Sequence, residues 1–397
     1  MSGTPKKSSS PASDLICETE PLEALCRQWA KAPYITVDTE FMRESTYWPK
    51  LCVVQVAGGG DGPAAAIDAI AKNLDLAPLF ALFADPEIIK VLHAGRQDME
   101  IFYHLAGRLP APVFDTQVAA MVCGFGDQAS YETLAAKLAN AKIDKSSRFT
   151  DWSRRPLTKR QTDYALADVT HLRRVYEKLL KRLDANGRTE WLAGEMDILT
   201  SPATYDMPPE EAFRRVKIRS KDRRFLAVMR ALAAWREEEA QRIDVPRGRV
   251  VRDEALMEIA HHTPTTADDL ARTRGLGRRF AAGPQGQAVL DAVKRGLAVP
   301  DEDCPKPRLK EEIPRGIGPV IDLLRVLLKM KCDETGVAQK LLASANDLEK
   351  IAAFGDQADV RALRGWRREV FGEDALKLGR GELGLAVKGK RLVVLET

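Results

Sequence analysis

Apolar residues follow two different rhythms along this 397-residue chain. In the first half they come in short runs rich in β-branched and aromatic side chains, at residues 33–41, 51–57, 64–69 and 88–94. Each run has the length and composition of a strand. Between the second and third lies Gly58-Gly59-Gly60-Asp61-Gly62-Pro63. It has neither the GxGxxG spacing nor a following Lys-Ser/Thr, so it reads as a hairpin turn rather than a phosphate loop. Gly95 breaks the fourth run, after which Met99, Phe102, Tyr103 and Leu105 take up a helical spacing, and residues 162–169 form a second helical stretch. A hairpin followed by strand–helix units predicts an α/β domain, a mixed sheet with helices against it.

Beyond this stretch the pattern is helical. Two Pro-bearing segments, 201–209 and 305–314, interrupt it and read as connections between domains. The expected organisation is a tail at 1–13, a mixed domain at 14–205, a helical domain at 210–299 and a second helical unit at 315–397. Leu383 to Glu396, around Lys388-Gly389-Lys390, reads as a terminal β-hairpin. A chain of this length exceeds what one core usually fills, and its 45% hydrophobic content is ordinary for burial.

Composition narrows the class mainly by exclusion. The six cysteines are scattered without a C-x-x-C pair, which argues against a zinc site or disulfide framework and makes a reducing cytosol the simplest home. No apolar run is long enough to span a bilayer, and residues 1–13 lack the apolar core of a signal peptide. The net charge of +4 is too small to identify a partner. Its local concentration is informative: residues 214–224, which include Arg214, Arg215, Lys217 and Arg219, carry seven basic side chains against one acid. Such a run is either a solvated face or a set of phosphate contacts.

Candidate chemistry rests on four acids in three segments. Asp38 and Glu40 lie two apart in the strand 33–41 and so point the same way. Asp98 falls on the first turn of the helix after Gly95, and Tyr164 and Asp168 share a helix face at i, i+4. Cleaving a phosphodiester requires stabilising charge on both the attacking and the leaving oxygen, which two divalent ions about 3.5 to 4 Å apart accomplish. Hard ions such as Mg²⁺ or Mn²⁺ take oxygen ligands, hence carboxylates. A phenol with a pKa of about 10 is a poor base at neutral pH, so Tyr164 is expected to orient water.

At these positions the chain resembles the ribonuclease D type of DEDDy exonucleases. The matching motifs are Val37-Asp38-Thr39-Glu40-Phe41, His93-Ala94-Gly95-Arg96-Gln97-Asp98 and Tyr164-Ala165-Leu166-Ala167-Asp168. Phe114-Asp115-Thr116-Gln117 and Asp151-Trp152-Ser153-Arg154-Arg155-Pro156-Leu157 extend the similarity. The resemblance implies an RNase H-like fold and 3′-to-5′ hydrolysis of single-stranded RNA ends to nucleoside 5′-monophosphates, with tRNA precursors as substrates. It also implies that Asp38, Glu40 and Asp168 hold the metal beside the attacking water, Asp38 bridging, while Asp98 supports a second metal. Residues 225–299 resemble an HRDC domain through Trp235-Arg236, Val245-Pro246-Arg247 and Gly275-Leu276-Gly277-Arg278-Arg279-Phe280. The C-terminal region resembles a degenerate second copy.

Several further residues carry two readings each. Thr39, Phe41 and Met42 adjoin the acids and are candidates to touch the terminal nucleotide, although a core role is as good for Phe41 and Met42. Trp152 and Arg155 are candidates to stack a base and hold a phosphate, or Trp152 anchors the loop before Tyr164. Asp68 reads as a structural acid, and His93 as a packing or substrate-side residue. Gly275 to Arg279 either form a turn or offer a phosphate site. The competing functions are a 3′-to-5′ DNA exonuclease, since the contacts to a 2′-OH cannot be placed, and a catalytically silent RNA-binding protein. No obligate protein partner is expected.

Overall fold

The computed structural model describes residues 15–307 and 313–396, so the expected tail lies outside the described residues. Six strands form one mixed sheet in the order β1-β4-β3-β2-β5-β6: β1 Leu15–Ile16, β2 Tyr34–Met42, β3 Lys50–Gly58, β4 Ala64–Asp68, β5 Ile89–Leu92 and β6 Val113–Asp115. The glycine cluster is the expected turn, joining β3 to its antiparallel partner β4 with Gly58 N–H donating to Pro63 O at 3.0 Å. β5 pairs with β2 only at Tyr34 to Thr36. The second half of β2 therefore has a free edge on that side, where another element can approach.

Helices cover both faces. Helices α1 Thr19–Trp29, α2 Ala77–Phe83 and α3 Arg96–Ala106 pack with Ile35, Val37, Val54 and Val56 in one core. Helices α4 Thr116–Met121, α5 Tyr131–Ala139 and the 27-residue α6 Lys159–Ala185 build the other, whose members include Leu172, Val175 and Leu179 of α6. A capping box starts α6, with the Thr158 side chain accepting from Gln161 N and the Gln161 side chain from Thr158 N. Thr36 Oγ1 donates to Val169 O at 2.9 Å, fixing the depth at which α6 crosses β2.

The helical regions dock on this domain at two places. Helix α7 Ala193–Leu199 leads through residues 201–209 into the bundle opened by α8 Arg223–Arg242, where Leu232, Trp235, Leu256 and Val289 form a separate core. The β2–β3 loop reaches that bundle: Tyr47 N and Trp48 N both donate to Asp244 at 3.0 Å, and Arg247 and Gln241 donate to the Tyr47 hydroxyl. The C-terminal helices instead share the α4–α6 core, with Trp366 stacked on Trp191 at 4.3 Å. The expected terminal hairpin is present as β7 Leu383–Lys388 and β8 Arg391–Glu396, and it rests on these helices through Leu385, Leu392 and Val394. No described helix is long and apolar enough to cross a membrane.

Candidate metal centre

Strand alternation puts Asp38 and Glu40 on the face of β2 that α6 covers, opposite Gln55 and Val53 of β3. Across that gap α6 presents Asp168. Single carboxylate oxygens of Asp38, Glu40 and Asp168 all lie within 4.8 Å of one another, a grouping able to hold a cation. Asp98 arrives along the free edge of β2, on the first turn of α3, where it accepts a hydrogen bond from the Thr39 hydroxyl. Its placement depends on the turn before it. There Asp115 accepts from Ala94 N at 3.1 Å and Gly95 N at 2.8 Å, and from Gln117 N at 2.7 Å. A Cβ on Gly95 would come within 2.7 Å of the Leu92 side chain, so only glycine closes this turn without displacement.

The electrostatics of the cluster are unfavourable by themselves. Burial, then the charges of Asp168, Asp98 and Glu40, hold the Asp38 carboxyl well above the usual carboxylate range. Glu40 is pushed up to about 9 by burial and by Asp168 and Asp98, against a smaller opposing pull from Arg148. Asp168 rises to about 7 and Asp98 to about 6, both chiefly through burial. The buried Asp168 Oδ1 has no hydrogen-bond partner among the described residues. Converging carboxylate oxygens, one of them buried and unsatisfied, fit a divalent ion, which removes the repulsion and completes the missing contacts.

The sign of the pH dependence follows. Each acid binds its proton more tightly folded than unfolded, so without metal its contribution is fully favourable below the unfolded value of about 4 and is lost as pH rises through about 6, 7 and 9. The Tm of chelator-treated protein should fall between pH 5 and pH 9, taken as roughly the ends of that window. Added Mg²⁺ should recover most of the loss at the alkaline end and little at the acid end. Equal Mg²⁺ stabilisation at both ends would contradict this account of the cluster.

The remaining candidates divide. Tyr164 lines the cavity above the acids, and Trp152 lies behind it, 6.1 Å away between ring centroids. Trp152 is only 2% exposed and so braces the tyrosine, out of reach of a base. Arg155 is likewise committed elsewhere. Its guanidinium donates to both oxygens of Asp68 at 2.7 and 2.6 Å, to Cys52 O, to Trp152 O and to Arg154 O. All five of its donors are used, which corrects the expectation of a phosphate contact and gives Asp68 its structural role. Thr39 points inward to Asp98, while Phe41 and Met42 pack on two cores.

The basic run is also partly consumed. Arg214 pairs with Glu211, Arg215 lies 3.9 Å from Glu237, and Arg223 and Arg224 donate to carbonyls between residues 296 and 304. Lys217, Arg219 and Lys221 remain exposed.

Sequence reading missed most of the cavity wall. The cavity, about 540 Å³, is lined by Asp38, Asp168 and Tyr164, by His93, and also by Gln117, Gln128, Tyr131 and Arg148. His93 Nδ1 lies 3.0 Å from Thr116 Oγ1, and Tyr131 donates to Asp168 O. Gln55, fully buried opposite Asp38 with neither amide atom partnered among the described residues, was visible only as one letter in a strand.

Comparison with known proteins agrees with this architecture. Residues 15–184 match the model of a 3′-5′ exonuclease family and residues 225–293 that of the HRDC domain. Ribonuclease D of Granulibacter bethesdensis is 51% identical over 98% of this chain and 98% of its own. That of Acidiphilium cryptum is 50% identical over 96% and 97%. Among solved structures, Escherichia coli RNase D, described as an exoribonuclease involved in structured RNA processing, superposes with a TM-score of 0.77. It is 30% identical and covers 92% of this chain and 98% of that one. With relatives this similar over almost their whole length, the chain belongs to the ribonuclease D family of 3′-to-5′ exoribonucleases.

Proposed function

We propose that the chain trims single-stranded RNA 3′ ends, tRNA precursors among them, releasing nucleoside 5′-monophosphates with two divalent ions, Mg²⁺ or Mn²⁺, at the acidic cluster. The observation that carries this reading is the convergence of the Asp38, Glu40 and Asp168 oxygens beside Asp98. Asp38, Glu40 and Asp168 would hold one ion, with Asp38 shared and Asp98 supporting the second. When bound, such ions neutralise charge on the attacking and leaving oxygens and acidify a water. The chain's own residues do the positioning. Burial and the neighbouring carboxylates push the Tyr164 phenol further above its usual value, so it stays protonated and orients a water without abstracting its proton. Replacing Tyr164 with Phe should lower kcat about 10- to 100-fold with KM little changed. An unchanged kcat would remove Tyr164 from the reaction.

A gel of 3′- and 5′-labelled precursor tRNA, with and without Mg²⁺, tests the whole reading. Expected are 3′ mononucleotides, a 5′-labelled ladder that stops at the structured stem, and no product with chelator. Internal cuts, or preference for a matched DNA end, would overturn it.

Lys217, Arg219 and Lys221 are the part of the basic run left to meet phosphate. Changing all three to Gln should weaken RNA binding and flatten the slope of log K against log salt by about 2. An identical slope would return them to a solvated face.

A further inference from the structure

The loop between α5 and α6 carries an arrangement that the acidic centre does not explain. Its neighbouring residues are pinned: Ser147 is buried, Thr150 Oγ1 donates to Ser147 O at 2.8 Å, Gln161 Nε2 donates to Thr150 Oγ1 at 3.2 Å, and Trp152 is in the core. Between these anchors Phe149 is 90% exposed. A large apolar ring held in water on an anchored loop gains nothing for the fold. Beside it Arg148 lines the cavity that contains Asp38, Tyr164 and Asp168, with its guanidinium carbon 5.3 Å from the Phe149 ring centroid. No described carboxylate lies within ion-pairing distance of Arg148, in contrast to Arg155 a few residues on.

We infer that Arg148 binds the scissile phosphate at the cavity rim, while Phe149, just outside, stacks on the base of the penultimate nucleotide. This rests on the exonuclease reading above. Four carboxylates balanced by two divalent ions leave the phosphodiester's own negative charge unmatched, and a guanidinium at the rim is suited to it. The terminal nucleotide fills the cavity, so the next base leaves it where Phe149 stands. Stacking there is indifferent to base identity, as a trimmer of mixed sequence needs. The Arg148–Phe149 contact holds phosphate and base sites at one spacing.

Two substrates separate the roles: a single-stranded RNA oligomer, and the p-nitrophenyl ester of uridine 5′-monophosphate, in which nitrophenol replaces the penultimate nucleoside as leaving group. Phe149→Ala should raise KM for the oligomer about tenfold with kcat retained, and leave the ester unaffected. Arg148→Gln should lower kcat/KM about 10- to 100-fold on both, with Arg148→Lys recovering part of it. Both side chains are exposed, so Tm should not move. Equal losses on both substrates for Phe149→Ala would overturn the stacking site, and unchanged kcat/KM for Arg148→Gln the phosphate site. Wild-type protein that cleaves neither substrate would overturn the exonuclease reading itself, and this inference with it.

Discussion

Asp38→Asn is expected to lower Mg²⁺-dependent mononucleotide release about 10³-fold while raising the Tm of metal-free protein. The two effects have one cause. Asp38 is the acid on which the charges of Asp168, Asp98 and Glu40 all bear, so removing its charge relieves repulsion in the empty fold. The same charge contributes to holding divalent ions, whose stabilisation of the transition state is worth several kcal/mol, each 1.4 kcal/mol or so being tenfold in rate. A merely structural acid would behave oppositely, its loss lowering Tm and sparing turnover in the molecules still folded. Rates and chelator-treated melting curves measured on one preparation distinguish the cases. Retained mononucleotide release would mean that the centre lies elsewhere.

Arg155→Ala carries the largest expected effect on stability, roughly 3 kcal/mol, or a Tm lower by on the order of 10 °C. The reason is the partner left behind. Asp68 is 5% exposed, and without the guanidinium its carboxylate is buried and unpaired, while Cys52 O and Trp152 O lose donors. Adding Asp68→Leu to Arg155→Met should recover part of the loss, because a neutral pair carries no desolvated charge. Surviving protein should bind RNA with the wild-type salt slope. A normal Tm with weaker, less salt-sensitive binding would instead restore Arg155 to phosphate recognition.

What could be read from the chain was whatever depends on local periodicity. Asp38 and Glu40 share a face because a strand repeats every two residues, and Tyr164 and Asp168 because a helix returns after four. Both relations survive any tertiary arrangement. The hairpin at Gly58 to Pro63 and the first-turn position of Asp98 were legible for the same reason. β1 and β6, of two and three residues, were not, because elements that short are defined by their sheet neighbours rather than by a pattern of their own.

The cations show the opposite limit. Arg155 and Arg148 stand seven positions apart in one loop and look equivalent in sequence, both basic and both near an aromatic ring. Arg155 is taken up by an acid 87 residues earlier, whereas Arg148 faces the cavity. Likewise Arg223 and Arg224 meet carbonyls some seventy to eighty residues later, leaving only part of the basic run to solvent. The class of chemistry was therefore legible in residue types and their local spacing, since four acids on a strand, a helix start and a helix face suit hard cations wherever the segments meet. Which cations remain free to meet RNA was decided only by the tertiary structure, because a guanidinium's availability depends on partners that the fold brings from distant parts of the chain.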